Sequence, residues 1–289
     1  MVLESIIDPQ SAKRHPLKLF FVGFLFAIVA LMFSLWIFKA QTSLVMVFLT
    51  VSITVPLMYA TMQEEEEEDL QIDNEAGLLK EHSKAILFLT SMFMGFVVAF
   101  SLVYIFFPAD LVSMIFSIQL DTIRAINANV AKNLSGLVTY VSFNAFLTIL
   151  ANNIKVMLFC IFFAFFFGAG AIFILTWNAS VISAAVGTYF RNGLENYSHL
   201  LGLAKVAAYF HLYSLSLLRF MIHGSLEIIA YFIGGLAGGI ISIGLINHTL
   251  ESARFKNIMF DAVTLILISI AVLVLAAFVE VFVTPVIFY

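Results

Sequence analysis

The stretch FMIHGSLEIIAYFIGGLAGGIIS, Phe220 to Ser242, is almost wholly apolar, yet it carries His223 and Glu227 and then two overlapping glycine repeats. A helix needs roughly 20 such residues to cross about 30 Å of hydrocarbon. Working outward, the rest of the chain has the same character: 62% of its 289 residues are hydrophobic and 11% are charged. That balance excludes a soluble globular core and predicts an all-α, polytopic transmembrane helical bundle with the lipid bilayer as solvent. Cys160 is the lone cysteine, so no disulfide framework exists. There is no basic stripe, and nucleic acid is excluded as a partner.

Seven spans are expected, at about Leu17–Phe38, Leu44–Met62, Ile86–Phe107, Ile154–Thr176, Leu200–Ile222, Leu226–Ile246 and Ile258–Val283. The first follows Lys13, Arg14 and Lys18. Its apolar core is too long for a signal peptide and no small-x-small cleavage site follows, so it reads as a retained anchor. Residues 177–190 are apolar but short, which predicts a helical extension or a re-entrant piece. With the amino terminus inside, Lys13, Arg14, Lys18, Lys80, Lys84, Arg191, Lys205, Arg254 and Lys256 fall on the cytoplasmic side, against Lys39, Arg124, Lys132, Lys155 and Arg219 outside. The positive-inside rule then predicts a multi-pass cell-membrane protein with a cytoplasmic amino terminus. Residues 1–106 form a three-span region whose acidic cytoplasmic loop, 63–84, holds the run Glu64 to Asp69. A solvated loop accounts for that run more simply than a cation site does.

Residues 107–150 lack a clean span. Phe116, Leu120, Ile123, Ile126, Val130, Leu134, Leu137 and Val141 recur every three or four positions, with Asp121, Arg124, Asn127, Lys132 and Ser135 mostly opposite. This is the pattern of an amphipathic interfacial helix, lying in the headgroup plane or packed over the bundle. About four spans complete the 107–289 region.

Gly234 and Gly238, and Gly235 and Gly239, form two small-xxx-small repeats, so one strip of this helix admits close approach of another. A partner in the same chain is expected there. A second copy would use the strip equally well. His223 and Glu227 are costly in hydrocarbon, on the order of 2 to 3 kcal/mol on the lenient insertion scale. Reading Gly224 as a break puts Glu227 in the first turn of a helix, where the dipole favours it. A structural clamp and a functional site fit the pair equally. Counting spans places Asn152, Asn153, Glu227 and Glu280 at one membrane face, with Thr284 and Pro285 following Glu280. The expected polar cluster is therefore Asn152, Asn153, His223, Glu227 and Glu280.

These residues resemble the signature of the stage II sporulation protein M family of prokaryotic membrane proteins, which includes numerous archaeal members. The resemblance rests on His-Gly-x-x-Glu at His223, Gly224 and Glu227, on Asn152-Asn153 opening a Phe- and Gly-rich span, and on Glu-x-x-x-Thr-Pro at Glu280, Thr284 and Pro285. It covers the chain from about Phe107 onward. The family's Asn-Gly pair is replaced by Asn178-Ala179. The resemblance implies a polytopic protein, not an enzyme, acting as a scaffold in a membrane complex.

The expected function is therefore a non-enzymatic scaffold or subunit of a membrane complex, with other membrane proteins or a second copy as partners. The alternative is a transporter or channel in which the His/Glu/Asn cluster binds a proton, a cation or a substrate group. A hydrolase fits worst: no His-Glu-x-x-His is present, one His and two Glu are few ligands for a metal, and no cofactor is implied.

Overall fold

The computed structural model describes residues 16–71, 75–133, 138–167, 171–247 and 252–288, and among these every regular element is helical. Such a result is what lipid demands, since each backbone polar group must find its partner within its own segment. The helices are α1 (Pro16–Ile37), α2 (Thr42–Gln71), α3 (Glu75–Phe106), α4 (Ala109–Ile115), α5 (Ser117–Asn133), α6 (Val138–Phe167), α7 (Ala171–Gly193), α8 (Gly202–Asn247), α9 (Ala253–Phe278) and α10 (Thr284–Phe288). A π-helical turn, Val279–Val283, joins the last two.

Seven helices are long and apolar enough to cross a membrane. Side-chain partners fix their directions. Ser183 bonds the Val97 carbonyl and Tyr104 bonds Thr188, so α3 and α7 run parallel. Glycines 234 and 238 of α8 face Met157 and Ile161 of α6, so these two also run parallel. Ser269 of α9 bonds the Ala230 carbonyl, and Ile258 meets Gly244, which makes α9 antiparallel to α8. The chain therefore alternates between a near end, where α1 begins, and a far end, where α4 and α5 pack. The core is rich in phenylalanine: Phe88, Phe93, Phe96 and Phe100 of α3 are fully buried, and Phe93 meets Phe232 of α8 edge to face at 6.4 Å.

The span count matches expectation, but two boundaries differ. The predicted span Ile154–Thr176 is divided between α6 and α7, whose apolar windows are Phe143–Phe165 and Ile172–Tyr197. Residues 177–190 are thus the body of a crossing helix. Conversely, the predicted spans Leu200–Ile222 and Leu226–Ile246 form one helix, α8, continuous through Gly224. A helical glycine costs about 1 kcal/mol, whereas opening the helix there would strand several backbone groups in hydrocarbon at several kcal/mol each. Gly202, at φ +56°, supplies the left-handed residue that starts α8.

Its 46 residues measure about 69 Å, and α8 fits a bilayer by crossing obliquely. Between the contacts Phe93–Phe232 and Ser101–Tyr213, α3 advances 8 residues (101 − 93) while α8 advances 19 (232 − 213). That is about 12 Å against about 28 Å.

Two other expectations are revised. The acidic loop 63–84 is largely helical: α2 continues to Gln71 and α3 begins at Glu75, as glutamate's helix propensity favours. Residues 72–74 and the side chains of the acidic run lie outside the described residues. The amphipathic segment is shorter than 107–150. It comprises α4 and α5, and residues 138–150 already belong to α6. Phe116, at the joint of α4 and α5, and Gln119 of α5 are buried in the bundle with no exposure, while Asp121 and Arg124 pair at 2.9 Å on the outer side of α5.

Because α7 crosses, Arg191 and Lys205 lie at the far end with Lys39 and Arg124, opposite Lys84 and Lys256. The expected nine-to-five excess of basic residues shrinks to seven against six, since Arg191 and Lys205 change ends and Lys155 lies mid-span (9 − 2 and 5 + 2 − 1). Charge alone then no longer sets the orientation.

Candidate functional site

The site begins with a proline. Pro285 has no N–H to give and its ring crowds the preceding turn, so the helix widens into the π-turn Val279–Val283. Within it Thr284 donates its hydroxyl to the Val279 carbonyl at 3.1 Å. The widened turn brings Glu280 and Thr284 against α8. There Glu280 stands beside Glu227, and Thr284 lies 3.4 Å from Nδ1 of His223.

From the other side, Asn153 of α6 donates Nδ2–H to Oε1 of Glu227 at 2.7 Å. Three helices thus converge on one carboxyl group. Two carboxyls set side by side in a poorly polar place repel when both are charged, and a shared proton or a bound cation would relieve that repulsion. His223 reaches toward Thr284 and not the carboxyls. Among the described residues no three His, Cys, Asp or Glu side chains converge in a way that could hold a metal.

Depth is the main departure from expectation. The cluster was expected at a membrane face because Asn153 and Glu227 were read as helix starts. Instead Asn153 lies near the middle of the Phe143–Phe165 window. Phe93, near the middle of Ser83–Phe106, packs on Phe232, little more than one turn from Glu227. The carboxyl pair is therefore close to mid-depth, where charge is most expensive.

Packing around it is tight. A Cβ at Gly238 would stand 2.5 Å from the Ile161 carbonyl oxygen, so α6 and α8 touch backbone to backbone. One at Gly234 would stand 3.0 Å from the Met157 side chain. Gly235 and Gly239 are buried on the same helix. The strip is used within the chain. Ser269 completes the three-helix junction, donating to the Ala230 carbonyl at 2.7 Å. Gly224 differs from these: its nearest neighbour beyond its own turn would be Ile182 at 3.9 Å, so no close approach requires it. Pro285 is exposed.

Asn152 does not join the cluster. One residue along a helix turns about 100°, so with Asn153 facing α8, Asn152 faces away and is exposed. It stands in a stripe that the sequence reading overlooked: Asn144, Thr148, Asn152 and Lys155 are all exposed on the outer side of α6. Thr148 donates back to the Asn144 carbonyl at 2.7 Å, while the side chains of Asn144, Asn152 and Lys155 have no partner among the described residues. The 4, 4, 3 spacing of these polar residues within an apolar run was the available signal. A second omission is a buried amide node, in which Ser43 donates to Gln119 Oε1 at 2.7 Å and Gln119 Nε2 donates to Ser180 at 3.1 Å. A lone glutamine between Phe116 and Leu120, on the apolar side of the amphipathic pattern, marks it.

A family model described as stage II sporulation protein M matches residues 84–285, more than two thirds of the chain. The match takes in the third span as well as Asn153, His223, Glu227, Glu280, Thr284 and Pro285. No curated protein and no solved structure matches.

Proposed function

The chain belongs to the stage II sporulation protein M family and is a multi-pass membrane protein, and on that premise we propose that it serves, without catalysing a reaction, as a scaffold or subunit of a membrane complex. One observation supports this most strongly: the outer face of α6 presents a polar stripe that runs from Asn144 at the edge of its apolar window through Thr148 to Asn152 and Lys155 at its middle. Hydrocarbon half a core deep is about 15 Å, beyond the reach of a lysine side chain from mid-span to the interface. Polar residues at such depth either meet another helix or line water.

The partner is a membrane-embedded helix that brings a carboxylate opposite Lys155 and hydrogen-bonding groups opposite Asn144 and Asn152. Within the cell membrane we place the amino terminus in the cytoplasm, because Lys13, Arg14 and Lys18 cluster at the start of the first span, which carries more weight in orientation than the balance over the whole chain. Native electrophoresis of gently solubilised membranes tests the assembly. The wild-type chain should migrate in a species much larger than 32.1 kDa. Lys155→Glu should release it, and a wild-type chain that already migrates alone would contradict the reading.

A second reading, transport, is favoured by a different observation, the mid-depth pairing of Glu227 on α8 with Glu280 on a π-turn. Ion-coupled carriers place exchangeable carboxyls at this depth on interrupted helices. The pair then takes up a proton or a monovalent cation, and Asn153 fixes its geometry.

A further inference from the structure

At the far end, α3, α7 and α8 part to leave an apolar groove of about 450 Å³. It is lined by Leu102, Phe106, Phe190, Val206, Phe210 and Tyr213, among others. The apolar window of α3 ends at Phe106 and that of α7 at Tyr197, so the groove opens at the level where hydrocarbon gives way to headgroups. Its aromatic lining suits that boundary.

Two cations neighbour residues of its wall. Lys205 holds its ammonium 5.7 Å from the Tyr209 ring centroid, and Tyr209 is itself a wall of the groove. Arg191, one residue beyond Phe190, donates to the carbonyls of Ile105 and Phe107 at the carboxyl end of α3. Its guanidinium also lies 5.5 Å from the Tyr104 ring centroid, which fixes it in place and leaves other donors of its fork for a ligand. Glu195, on the turn between α7 and α8, offsets part of this charge.

We propose that this groove is a binding site for an anionic phospholipid, whose acyl chain fills the apolar slot and whose phosphate is held by Lys205 and Arg191. An acyl chain needs an apolar channel that begins at the interface. The phosphate needs donors at the mouth, and a zwitterionic headgroup would set its own cation against Lys205. The two requirements meet on three helix ends that the polar cluster does not use.

Native mass spectrometry of the purified chain, titrated with phosphatidylglycerol or phosphatidylcholine, tests the site. Phosphatidylglycerol should bind at least about tenfold more tightly. Lys205→Gln should weaken it about fivefold, the worth of one basic residue near an anionic headgroup. Val206→Trp, at a residue 65% exposed on the groove wall, should fill the slot and weaken both lipids while the protein still folds. Equal affinity for the two lipids would overturn the proposal, as would phosphatidylglycerol binding indifferent to both substitutions. A protein copurifying in the groove and displaced by neither lipid would also overturn it.

Discussion

Asn153 on α6 and Glu227 on α8 meet at 2.7 Å near mid-depth of the bundle, and Glu280 approaches the same carboxyl from the π-turn. Removing one partner leaves the others buried in a poorly polar setting. Asn153→Ala is expected to destabilise the protein by about 1–3 kcal/mol, the cost of an unsatisfied buried acceptor. Thermal unfolding in detergent measures it, and an unchanged midpoint would show the bond to be dispensable.

Gly238 separates close packing from mere apolarity. Leucine there must displace the Ile161 backbone, since even a Cβ would stand 2.5 Å from its carbonyl oxygen. Gly238→Leu is therefore expected to prevent folding or to cost at least about 3 kcal/mol. Expression and thermal stability at the wild-type level would rule out the backbone contact.

Gly224 should behave in the opposite way, although it stands in the same motif as His223 and Glu227. It lies inside a continuous helix with room for a methyl group, so Gly224→Ala is expected to be neutral or to stabilise by about 0.5–1 kcal/mol. A marked loss of stability would mean that α8 bends there during function.

These glycines show which parts of the fold were legible in the sequence. Apolar run length reveals that segments cross, because the bilayer sets that length. It does not reveal where one helix ends, because Gly224 and the glycines at 168 and 170 look alike as letters. Gly224 lies inside the continuous helix α8, whereas residues 168–170 lie outside the described residues. The chemistry of the cluster was legible for a related reason: ionisable residues are rare in such runs, and His223, Glu227 and Glu280 stand out. Depth was not legible, since it depends on register between helices. Nor was the separation of Asn152 from Asn153, since neighbours in sequence face different ways on a helix.

The transport reading has its own test. With Cys160→Ser as background, Glu227→Cys and Glu280→Cys are treated with a membrane-impermeant thiol reagent, beside thermal melts of Glu227→Gln and Glu280→Gln. A closed lock is expected to give protected cysteines and a clear loss of stability. Rapid labelling with little loss of stability would mean that water reaches the pair, and transport would displace scaffolding as the function.

The central claim concerns α6, and photo-crosslinking tests it most directly. A benzoylphenylalanine in place of Asn152, irradiated in intact membranes, is expected to form one discrete protein adduct. Lys155→Glu in the same chain should abolish it, and the same probe at Phe21 of α1, an exposed apolar position, should give none. Lipid adducts alone at position 152, or the same protein adduct at both positions, would contradict the account.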